Sequence, residues 1–75
     1  MSKRIFHSMT SFYENGYVNL YGLDLTVVEF IEFLKVFRKH DAIVKIINII
    51  NNPQLECVDI DMIRKYLPYV EKLIR

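Results

Sequence analysis

The chain has 75 residues: ten Lys plus Arg against nine Asp plus Glu, two His, one Cys, two Gly, two Pro and no Trp, with 52% in the hydrophobic set. That length holds one domain, 1–75, burying only about 60–65% of its unfolded surface, so such chains ordinarily add a disulfide, a metal or a partner subunit. The lone Cys57 excludes an internal disulfide and His7, His40 and Cys57 lack ligand spacing, while interspersed charges summing to +1 exclude a basic nucleic-acid tail, an acidic DNA mimic and a disordered polyelectrolyte.

A β-hairpin is expected over about 5–21. The β-prone stretches on both sides of Asn15-Gly16 suit a type I′ turn, because both central positions need positive φ. With those two residues as the turn, Glu14 faces Tyr17, Tyr13 faces Val18, Phe12 faces Asn19, Ser11 faces Leu20 and Thr10 faces Tyr21. The pleat sorts Met9, Ser11, Tyr13, Val18 and Leu20 onto one face and Thr10, Phe12, Tyr17, Asn19 and Tyr21 onto the other. A ribbon of two strands is unstable alone, so the more aliphatic face covers the core and the aromatic-polar face is a candidate surface.

Gly22 closes the strand. Thr26-Val27-Val28-Glu29 is a capping box that opens a helix over about 26–40, with Val27, Phe30, Ile31, Phe33, Leu34 and Phe37 on one arc. Glu29, Glu32, Lys35, Lys39 and His40 form the opposite arc, which Val28 and Val36 interrupt. From Ala42 the polar residues Lys45, Asn48 and Asn51 fall every third position, which reads as a second helix over 42–51, capped by Asp41 and ended before Pro53. A single helix from Thr26 to Asn51 would set its two apolar arcs roughly 170° apart, so a break at His40-Asp41 is the simpler expectation.

Gln54 to Val58 reads as a short connection. A third helix follows over 60–75, capped by Asp59 or Asp61, with a heptad-like seam of Ile60, Ile63, Leu67, Val70 and Ile74 beside a stripe of Met62, Tyr66, Tyr69 and Leu73. Pro68 kinks or splits it. The whole is then an α+β fold, a hairpin followed by three helices (ββααα), with no internal repeat.

No residue set reads as catalytic. Cys57 has acidic neighbours, Glu56 and Asp59, where a reactive thiolate needs a base or a cation, and a buried structural thiol is the expectation. His7 and His40 have no partner, and His40 suits a helix C-terminus. Glu56, Asp59 and Asp61 are explained by capping and lack the further oxygens and turn glycine of a calcium loop. Gly16 and Gly22 are the only glycines, so there is no phosphate-cradling loop. No enzyme activity, cofactor or metal is expected.

What remains is apolar and aromatic surface that one small domain has too little volume to cover. The expectation is a non-catalytic protein–protein interaction module: a regulator, adaptor or inhibitor that binds or occludes a partner protein through Phe12, Tyr17, Tyr21, Tyr66 and Tyr69. It self-associates as a homodimer through Val70, Leu73 and Ile74. The alternative is a small dimeric DNA-binding transcriptional regulator using Lys35, Arg38, Lys39, Arg64 and Lys65. No apolar run is long enough for a signal peptide or a membrane span, so a cytoplasmic location without membrane contact is expected. The abundance of Ile, Lys, Asn, Tyr and Phe suits a gene of high A+T content, as in a low-GC bacterium, its phages and plasmids, or a similarly biased virus.

Overall fold

A computed structural model describes residues 13–75. The hairpin turns at Asn15 (φ 51°) and Gly16 (φ 84°), both in the left-handed region a type I′ turn requires. It joins β1 (Tyr13–Glu14) to β2 (Tyr17–Asn19) antiparallel, with Tyr13 opposite Val18 and Glu14 opposite Tyr17. The pairs expected for Thr10, Ser11 and Phe12 lie outside the described residues, as do Met9 and His7.

The capping box is present. Thr26 Oγ1 accepts from the Glu29 amide at 3.1 Å while Glu29 Oε1 accepts from the Thr26 amide at 3.0 Å, opening α1 (Val27–Lys39). Phe30, Phe33, Leu34 and Phe37 are its buried residues, whereas Val28 on the opposite arc is 71% exposed. The helix ends at His40, its C-cap, and Asp41 follows with φ 54°. Asp41 therefore turns the chain out of one helix rather than capping another.

Beyond Asp41 the expected helices give way to strands. Residues 42–51 contain β3 (Ile46–Asn48), parallel to β2, and not a helix. The run Gln54 to Val58 starts inside a 3-10 turn (Pro53–Leu55), and α2 spans only Ile60–Arg64, opened by Asp59, whose carboxylate accepts from the Met62 amide at 2.9 Å. The remainder of the expected third helix is two turns and β4 (Lys72–Ile74), parallel to β3. The class α+β holds, but the ββααα order is overturned: the described residues form one four-stranded sheet, β1-β2-β3-β4, with two α-helices of 13 and five residues.

The physical reason lies in which face each residue meets. Ile47 and Ile49 are buried with Val18 and Leu20 against the phenylalanines of α1, while Ile46, Asn48 and Ile50 are half-buried on the other side. This alternation has period two, and β-branched Ile on both faces suits a strand. The third-position spacing that resembled a helix is coincidental: Lys45 precedes the strand, Asn48 faces away from the core and Asn51 (φ 62°) is in the turn after it. Likewise Ile60, Ile63, Leu67 and Val70 all approach the core, but from a short helix and successive turns, with Ile74 on the far side of the sheet.

The structure also contains the repeat that the sequence conceals. Val18 is paired with Ile47 and Ile47 with Leu73, separations of 29 and 26 residues. The Gly16 carbonyl accepts from the amides of Lys45 and Ile46 at 2.7 and 3.0 Å, and the Lys45 carbonyl accepts from those of Glu71 and Lys72 at 2.7 and 3.2 Å. One strand later, Leu20 N–H donates to the Asn48 carbonyl as Ile49 N–H donates to that of Ile74, each at 2.8 Å. Asn19 and Asn48 each accept from the amide two residues on, at 3.1 and 3.0 Å, and Gly22 and Asn51 turn the chain after them with φ 66° and 62°. The offset of 26 residues between Ile47 and Leu73 also aligns Phe37-Arg38-Lys39 with Ile63-Arg64-Lys65 and Val44 with Val70. Each unit is one strand and one crossover, and each buries its apolar side only by stacking on its neighbour.

Candidate partner-binding face

The crossovers bring their apolar residues to one side of the sheet, where Val18, Leu20, Ile47, Ile49 and Leu73 point, so among the described residues no helix or crossover covers the opposite side, the open face. Strand alternation places Tyr17, Asn19 and Tyr21 there from the first unit, Ile46, Asn48 and Ile50 from the second, and Lys72 and Ile74 from β4. Tyr21 is 53% exposed and Tyr17 half-buried.

Amides hold the tyrosines. Asn48 Nδ2 donates to the Tyr17 hydroxyl at 3.0 Å and Asn51 Nδ2 to the Tyr21 hydroxyl at 2.8 Å, each bond running from the second unit to the first. Asn48 Oδ1 is meanwhile occupied by the Ile50 amide, which fixes the orientation of its side chain. The phenol groups are thus positioned before any partner arrives, and each retains a hydroxyl proton for donation.

Beneath the end of these strands sits Asn52, the buried polar side chain among the described residues, at 5% exposure. Its Nδ2 donates to the carbonyls of Leu20 at 2.8 Å and Ile49 at 3.0 Å, and its Oδ1 accepts from the Leu25 amide at 2.9 Å. Asn52 therefore joins the exits of two successive strands, satisfying backbone groups that would otherwise be buried without partners. Sequence reasoning missed Asn48, Asn51 and Asn52, and the signal was available: amides falling just inside and just after an alternating isoleucine run.

The aromatic residues expected to act together are divided. Tyr17 and Tyr21 are on the open face, whereas Tyr66 (half-buried) and Tyr69 (61% exposed) belong to the turns between α2 and β4. Phe12 lies outside the described residues. Tyr66 and Tyr69 line a groove with Arg38, Ile43, Arg64 and Lys65, where Arg38 of one unit meets the Arg64-Lys65 pair of the next. Lys35 and Lys39 are exposed on α1 and line no part of it. Val70 is 1% exposed within the core and offers no surface, while Leu73 and Ile74 are half-buried in β4.

Cys57 is exposed, not buried as its composition and neighbours suggested, because the turn that follows Leu55 turns Leu55 and Val58 inward and the residues between them outward. Asp59 serves as the N-cap of α2, and His40 as the C-cap of α1. No helix among the described residues is long and apolar enough to cross a membrane. Compared with protein-family models, with curated proteins and with solved structures, the chain matches none.

Proposed function

We propose that the chain is a non-catalytic protein-binding module, a regulator, adaptor or inhibitor whose open sheet face receives a partner protein and occludes it without turnover. The observation that carries this reading is the pair of tyrosines held by Asn48 and Asn51 across the strands. Tyrosine supplies a large rigid contact area with a polar tip, and prior hydrogen bonding lowers the ordering cost of binding. The spacing of Val44, Ile47 and Ile49 before the buried Asn52 supports the same reading, since it follows the L-x-x-L-x-L-x-x-N spacing of leucine-rich repeats, whose strands line a binding surface.

The test is the double variant Tyr17→Ala with Tyr21→Ala, compared with wild type in affinity purification from the native host and then in direct titration of the recovered protein. Binding should fall at least about thirtyfold, the scale of one central aromatic anchor, with the far-ultraviolet circular dichroism unchanged. Undiminished binding removes the open face as the recognition surface. A second reading, DNA binding, draws on the meeting of Arg38, Arg64 and Lys65 at one groove. It requires a retarded duplex whose affinity falls steeply with salt and is lost in Arg64→Glu with Lys65→Glu.

A further inference from the structure

The two edges of the sheet differ. At one edge β1 runs antiparallel to β2, whereas at the other no described strand pairs with the outer side of β4. Lys72 N–H donates to the Lys45 carbonyl and the Ile74 carbonyl accepts from Ile49, so both residues turn their backbone groups toward β3. Successive residues of a strand alternate in this respect, so the N–H and C=O of Leu73 both point outward. Such a residue can exchange two hydrogen bonds with a copy of itself across an antiparallel pair.

The side chains fit that exchange. About Leu73 the sequence reads Glu71-Lys72-Leu73-Ile74-Arg75, so an antiparallel pair centred there sets Glu71 opposite Arg75 of the second copy, twice. It also sets Lys72 opposite Ile74 and joins the half-buried Leu73 side chains on the core side of both sheets. Glu71 and Arg75 are exposed, and their present contacts are an ion pair of Glu71 with Lys45 at 3.4 Å and a hydrogen bond from Arg75 to the Val58 carbonyl. Both contacts hold the side chains on the side where Leu73 packs.

We infer that two copies of this chain join through β4, antiparallel about a twofold axis at Leu73, into one continuous sheet with both open faces on the same side. The outer edge of β4 is the one that no described strand covers, and here each copy covers the other. The dimer also doubles the number of tyrosine pairs available to a partner, although its formation does not depend on one.

Sedimentation of the 75-residue chain should give a dimer. Glu71→Arg and Arg75→Glu should each raise its dissociation constant at least about tenfold, by placing like charges opposite each other at two sites, and the combined variant should recover to within about threefold of wild type. Circular dichroism guards against misfolding in both single variants, since Arg75→Glu gives up the bond to the Val58 carbonyl and Glu71→Arg the ion pair with Lys45. Register is read separately in a Cys57→Ser background. Leu73→Cys should form a disulfide-linked dimer on mild oxidation, because residues sharing both hydrogen bonds have Cα atoms about 5.5 Å apart, and Lys72→Cys should not. A monomer at all concentrations, single reversals without effect, or cross-linking at 72 in place of 73 would each overturn the inference.

Discussion

The two crossovers perform the same task with unlike materials. Between β2 and β3 the chain uses a capped helix of 13 residues carrying three buried phenylalanines, with Phe33 and Phe37 rings 4.9 Å apart and Tyr13 5.7 Å from Phe37. Between β3 and β4 it uses a 3-10 turn, a helix of five residues and tight turns that bury Leu55, Val58, Ile63, Leu67 and Val70 one at a time. Yet both deliver the next strand to the same cradle, where a single carbonyl receives two amides. The repeated unit is therefore fixed by its strand and the residues flanking it. The crossover needs only to span the distance and return apolar side chains to the core, which turns accomplish as well as a helix.

Core truncation in the two crossovers tests that equivalence most severely. Phe37→Ala should destabilise by about 4 kcal/mol and Ile63→Ala, at the corresponding place in the second unit, by about 3 kcal/mol, read from denaturant unfolding. A cost below about 1 kcal/mol at Ile63 would mean that the turn-built crossover is loosely packed and the two are not equivalent. Asn52→Ala should follow at about 2–3 kcal/mol, since it strands the Leu25 amide and the Leu20 and Ile49 carbonyls. Its amide exchange should rise near Leu25 and at the ends of β2 and β3 together, because one side chain closes both. The smallest contrast is between caps: Thr26→Ala should cost about 1 kcal/mol and Asp59→Ala about 0.5 kcal/mol. Thr26 takes part in a reciprocal box that opens a long helix, whereas Asp59 satisfies one amide of a short one.

Much of the first unit was legible because its signals are local. Asn15-Gly16 sets its own turn, Thr26 and Glu29 satisfy each other three residues apart, and the apolar arc of Phe30, Phe33, Leu34 and Phe37 repeats within one helix. The division of Tyr17 and Tyr21 from Val18 and Leu20 followed from strand alternation, and the sheet retains it. In the second unit the local signals conflict. Ile46, Ile47, Ile49 and Ile50 make both faces of β3 apolar, so the period-two pattern is hidden, and Lys45, Asn48 and Asn51 imitate a helical side.

The sequence by itself determined the α+β class, the hairpin turn, the long capped helix and the aromatic character of the surface on the ribbon. Only the tertiary structure decided that Ile46–Asn48 and Lys72–Ile74 are strands, since the partners of a parallel strand lie a whole crossover away and leave no mark within a short window. The same distance hid the repeat and the work of Asn52. A buried amide is costly unless its bonds are met, and the carbonyls that meet them belong to strands 29 residues apart in register.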